Sequence, residues 1–102
     1  MSREAALKRN KFEFRRQSDG LIYPFARHRG PQGETIYQRS DGPIRVVYDS
    51  RFGWSIWSDE GDLLGRAWEI LPEDQGDYPP EGIWVSRRGA KAYVYDLVYV
   101  GD

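Results

Sequence analysis

The chain has 102 residues, 39% hydrophobic and 15% aromatic, and no cysteine. Its length sets one domain with one core, and the aromatic share argues against disorder. The absence of cysteine excludes disulfides, thiol nucleophiles and Cys-based metal or iron–sulfur sites.

The net charge of −1 hides a division. Residues 1–51 carry eleven Lys/Arg against six Asp/Glu, and residues 52–102 carry four against ten. Arg outnumbers Lys twelve to three, and Arg is the cation better suited to interfaces. A basic and an acidic half either attract each other within one fold or face different partners. No apolar run reaches the roughly 18 residues of a membrane span, and the first residues lack an apolar signal core. The expectation is a soluble, cytoplasmic chain with no membrane partner.

The whole chain, 1–102, reads as a single domain: a short helix or frayed tail over 1–10 and an antiparallel β body over 11–100. Ser2 caps the first segment, and Lys8 and Arg9 suit its negative end. From Lys11 the period changes to two, with Phe12 and Phe14 on one face and Glu13 and Arg15 on the other. The run 21–28 follows; Pro24 lacks an amide hydrogen and predicts an edge or broken strand. After the 30–33 turn, strands are expected over ETIYQR, IRVVYD and WSIWS.

Residues 62–71 fit either a strand, with Trp68 and Ile70 on one face, or a helix. Gly65 and the preceding SDEG turn favour the strand. Residues 72–82, with three prolines, two glycines and four acids, predict an exposed loop. A final hairpin runs from Ile83 to Val100. Its last strand is apolar on both faces, which predicts a place between two packed layers.

One unit recurs: Ser18-Asp19-Gly20, Ser40-Asp41-Gly42, Ser50 to Gly53, Ser58 to Gly61 and Ser86 to Gly89. Ser and Asp side chains start a turn by bonding nearby backbone, and Gly supplies positive φ to close it. Short strands between such turns predict a mainly β fold, an antiparallel meander closed as a small barrel or stacked as a sandwich. The expected core is Ile44, Val46, Trp54, Ile56, Trp68, Val85, Tyr95 and Leu97.

Catalytic equipment is sparse. His28 is the single histidine and sits between Arg27 and Arg29. No phosphate loop, dinucleotide fingerprint or nucleophile elbow is present. Asp59 to Asp62 lacks the spacing of a calcium loop. No catalytic residue, metal site or cofactor is assigned. Asp96, inside an apolar strand, is expected either at a sheet margin, paired with an Arg such as Arg45 or Arg66, or as a functional buried acid.

Two segments carry binding signals. The 72–82 loop and its flank place Tyr78 and Trp84 among Asp74, Asp77 and Glu81, an aromatic anchor with an acidic rim suited to a basic protein surface. The segment 11–29 interleaves Phe12, Phe14, Tyr23 and Phe25 with Lys11, Arg15, Arg16, Arg27, His28 and Arg29. That pattern suits single-stranded nucleic acid stacked on exposed rings. The favoured function is therefore a small non-catalytic protein that binds a macromolecule, with a protein partner ahead of nucleic acid. A small carboxylate-based enzyme is a further alternative. Homo-oligomerisation is left open.

Overall fold

The turn units divide the chain into eight antiparallel strands. The computed structural model describes residues 9–101. The strands are β1 (Lys11–Arg16), β2 (Ile22–Arg29), β3 (Thr35–Arg39), β4 (Arg45–Asp49), β5 (Gly53–Trp57), β6 (Leu63–Ala67), β7 (Gly82–Arg88) and β8 (Lys91–Tyr99). Each pairs with the next in sequence, and β8 returns to pair with β1 through Phe12–Tyr99 and Phe14–Leu97. The sheet is thus a closed up-and-down barrel, and closure removes both edges. A barrel of eight strands is just wide enough to be filled by side chains or to hold one small ligand.

The interior is aromatic. Phe12 is its hub, with ring centroids 5.1 Å from Phe25, 5.2 Å from Phe14, 4.9 Å from Tyr37 and 5.8 Å from Tyr99. Phe14 continues the lattice to Trp84 at 5.1 Å and Tyr95 at 5.8 Å. Val46, Trp54, Ile56 and Leu97 complete the buried set. Gly65 on β6 allows close packing: a Cβ there would lie 2.6 Å from the Val85 carbonyl oxygen. Outward positions such as Lys11, Arg15 and Arg66 are charged and exposed. An aromatic interior and a charged exterior invert the pattern of a membrane-spanning barrel. No helix among the described residues is long and apolar enough to cross a membrane.

Several expectations need correction. The helix over 1–10 falls outside the described residues except for Arg9 and Asn10, which are not helical. Pro24 lies within β2 and opposite Glu13 of β1, on a sheet that has no edge. It is tolerated because the β2–β3 ladder ends at Phe25–Arg39, and its carbonyl still accepts from Ser40 N at 2.9 Å. The register shift at Leu64 turns Gly65 and Ala67 inward, so Trp68 falls on the outer face with Arg66, its N–H still bonded to the Ile83 carbonyl; Trp68 is 70% exposed. Ile44 and Val85 are half-buried. β8 lies between two strands of one sheet, not between two layers. Tyr95 and Leu97 point inward, while Val94, Asp96 and Val98 are half-exposed outside.

Candidate functional site

The two ends of the barrel differ. At one end lie the β2–β3 and β4–β5 turns and the long 68–81 connection between β6 and β7. This connection closes the barrel. Interior rings with polar tips need acceptors, and here the backbone of the connection supplies most of them. Trp84 Nε1 donates to the Pro80 carbonyl at 2.9 Å, Trp54 Nε1 to Gly76 at 3.0 Å, and the Tyr99 hydroxyl to Pro79. Tyr37 donates to the Arg9 carbonyl at 2.7 Å. Gln75 reaches inward as a side-chain bridge: Oε1 accepts from Trp54 N at 2.7 Å, and Nε2 donates to the Ile70 carbonyl at 3.0 Å. Burial holds the Tyr37 and Tyr99 phenols above their ordinary range.

At the other end stand four of the five recurrent turns, after β1, β3, β5 and β7. None crosses the opening. Between them lies a cavity of about 340 Å³. Its apolar wall is Phe14, Phe25, Ile44, Ile56 and Leu64. Leu64 enters through a register shift of the β5–β6 ladder, where Trp57 pairs with Leu63 but Ile56 pairs with Gly65. Its polar groups are the guanidiniums of Arg16, Arg39 and Arg88 and the hydroxyls of Tyr23, Tyr93, Tyr95 and Ser86; no carboxylate lines it.

The turns hold two of these arginines in place. Arg16 donates through Nε and Nη2 to Asp19 at 3.0 and 2.8 Å and lies over the Tyr93 ring at 4.9 Å. The hydrogen bond from Arg16, helped by Leu21 N, holds the Asp19 carboxyl down to about 2. The same bond raises Arg16. The pair is therefore charged at all ordinary pH and is lost only as pH falls towards about 2. Arg39 lies over Tyr23 at 5.0 Å, with Nε 2.8 Å from Asp41 Oδ1. That ion pair lacks hydrogen-bond alignment, so the shielded Nε–H is unsatisfied. Gly42 makes room for this guanidinium, since a Cβ there would lie 2.7 Å from Arg39 Nη2. Arg88 is exposed at the rim, and no carboxylate among the described residues pairs with it. Burial raises the Tyr95 phenol.

The sequence-derived candidates scatter. Asp74, Asp77 and Glu81 are exposed on the closing connection. Tyr78 is half-buried with the Arg9 guanidinium 5.2 Å over its ring. Trp84, expected at a partner surface, has no exposure at all because β7 turns it into the core. Of the nucleic-acid candidates, Lys11, Arg15 and His28 are exposed on the outer face, and Arg27 and Arg29 are exposed towards the plugged end, Arg27 opposite Tyr37. Phe12, Phe14 and Phe25 are all buried, so the expected stacking platform does not exist there. Of that segment, Arg16 joins the mouth as its one cation, beside Phe14, Tyr23 and Phe25 in the lining. Asp96 faces outward and accepts from Gln17 Nε2 at 3.2 Å, not from an arginine. Neither Asp96 nor His28 reaches the cavity. Sequence reasoning missed Arg39, Arg88, Tyr23, Tyr93, Tyr95 and Ser86 as one group. Among the described residues, no three His, Asp or Glu side chains converge as metal ligands. No protein-family model matches this chain, and no characterised protein or solved structure matches it.

Proposed function

We propose that this chain is a non-catalytic binding protein whose ligand is a small anion with an aromatic or aliphatic body. The observation that carries this reading is the composition of the open mouth, three guanidiniums and four hydroxyls above an apolar wall with no acid among them. A carboxylate or phosphate at the rim would meet charge-assisted donors, and guanidiniums suit these planar or multi-oxygen acceptors best. Arg39, whose Nε–H has only the poorly aligned Asp41 carboxylate, would gain an aligned acceptor. The apolar body would lie on Phe14, Phe25 and Ile56. A volume of about 340 Å³ is near the lower end of small-molecule sites, roughly 300–1,000 Å³, which suits a compact ring system and not a long acyl chain.

The test is calorimetric titration with 2-naphthoate, 2-naphthyl phosphate and the neutral 2-naphthylmethanol. The anions should bind at one site and the alcohol at least about tenfold more weakly, as loss of a charged hydrogen bond implies. Arg39→Met and Arg88→Met should each weaken the anions and leave the alcohol unchanged. Equal binding of alcohol and acid, or anion binding indifferent to both substitutions, would refute the reading.

A further inference from the structure

A second concave surface lies outside the barrel and shares almost nothing with the mouth. It is a groove of about 450 Å³ along β6 and the start of the 68–81 connection, with Phe52 and Val85 on its flanks. Of the six large hydrophobic side chains exposed among the described residues, three stand here: Trp68 at 70%, Leu71 at 60% and Leu63. Scattered exposed apolar residues need no explanation, but a contiguous set in a groove marks an interaction surface. The only charged residues lining it are Arg66 and Arg87. Neither is paired with a carboxylate among the described residues. Arg66 is instead stacked over Phe52 at 5.2 Å.

We propose that this groove docks an extended segment of a protein partner that carries apolar anchor side chains flanked by acidic residues. The charge of the lining selects the acids: its two charged residues, Arg66 and Arg87, are both cations, although the chain as a whole is net negative. The wall selects the anchors. Leu63, Ile70, Leu71 and Val85 offer an aliphatic trough beside a single exposed indole, which accommodates Leu or Phe side chains. Stacked bases need a succession of rings, so a single-stranded nucleic acid is the poorer occupant. Trp and Arg are also the residues that most often dominate protein interfaces. Because the barrel is closed, no strand edge is free for β-addition, and recognition rests on side chains.

The experiment is selection of random dodecapeptides displayed on phage against the whole folded chain, followed by fluorescence anisotropy with the synthetic winners. The expected winners combine acidic with Leu, Phe or Trp residues. Their affinity should fall at least about tenfold with Trp68→Ser, and Arg66→Gln with Arg87→Gln should weaken binding and flatten its salt dependence. An unchanged denaturation midpoint for Trp68→Ser would show that the loss is not unfolding. The proposal is overturned by basic winners, by winners indifferent to Trp68, or by an oligothymidylate that binds the same surface more tightly. Sedimentation showing a dimer that dissociates on Trp68→Ser would also overturn it, assigning the groove to a second copy.

Discussion

Gln75 is the single side chain on which closure of the plugged end most depends. Trp54 lies beyond the last β5–β6 pair, Ser55–Arg66, so no neighbouring strand accepts its N–H. Gln75 Oε1 does so at 2.7 Å, while its Nε2 holds the Ile70 carbonyl. Gln75→Ala removes both bonds. The Trp54 N–H is enclosed by the barrel wall and the connection, and leaving such a donor unsatisfied costs about 1–3 kcal/mol. The Ile70 carbonyl lies nearer the surface and can turn to water, so it adds little. A loss of about 2 kcal/mol corresponds to a melting point lower by roughly 8–16 °C in a domain of this size. Chemical denaturation followed by tryptophan fluorescence measures the energy, and amide exchange at Trp54 reports the local opening. Asp77→Ala is the control, since Asp77 is exposed on the same connection and should shift stability by no more than about 0.5 kcal/mol. If the two variants unfold at the same denaturant concentration, the connection is an appendage and the plug argument fails.

The two tryptophans nearest the ends of the long connection should behave oppositely. Trp84→Ala should cost about 3–5 kcal/mol, because the indole is fully buried against Phe14 and bonded to Pro80; Trp68→Ala, 70% exposed, should change stability by about 0.5 kcal/mol or less. Similar denaturation midpoints for the two would mean that the inward and outward assignments around β6 and β7 are wrong. Alkaline titration gives a third check. Burial raises the phenols of Tyr37, Tyr95 and Tyr99, so the folded state favours their neutral form. That contribution is complete below the ordinary phenol value of about 10 and is lost as pH rises above it. Phenolate absorbance should therefore appear in two stages, the second coinciding with unfolding; titration of all seven tyrosines together in a still-folded chain would contradict the burial.

Local structure was legible in the sequence to the extent that local chemistry determines it. Ser/Asp-Gly turns and period-two runs placed the strands, and Gly20, Gly53, Gly61 and Gly89 do take the positive φ assigned to them. Closure was not legible, because alternation in β1 and β8 does not say whether Phe12 meets Tyr99. The 72–82 segment misled for a related reason. Its prolines and acids describe a surface loop, and its acids are indeed exposed, but its backbone carbonyls serve the interior. The available signal was elsewhere: a chain with four tryptophans and seven tyrosines and one small core must bury several of them, and their N–H and O–H groups must then find acceptors. Trp68 misled because the register shift at Leu64 resets the alternation: with Gly65 and Ala67 inward, Trp68 shares the outer face with Arg66.

The mouth was hidden because its arginines are distant in sequence, yet the turn units contained a clue. In an up-and-down barrel every second turn lies at the same end. The turns after β1, β3, β5 and β7 must therefore meet, and inward residues beside them form one ring. Arg16 precedes Ser18-Asp19-Gly20, Arg39 precedes Ser40-Asp41-Gly42, and Arg88 ends β7 just before the Gly89–Ala90 turn, Ser86 lying in the strand itself. In the first two the Asp does more than shape the turn: Asp19 and Asp41 each lie 2.8 Å from the guanidinium that precedes them. This arrangement lets a single sequence unit both reverse the chain and orient a cation towards the barrel axis. The Asp residues stand on the turns outside the cavity, so they fix the arginines without entering the space where an anion would lie. The third turn of that end, Ser58 to Gly61, has no such arginine before it. There Ser58 Oγ accepts from Glu60 N and Asp62 N instead, which organises the turn and leaves the Ile56–Leu64 side of the mouth apolar. The ring of turns thus divides the opening into a cationic arc and an apolar arc, the asymmetry that an amphipathic anion requires.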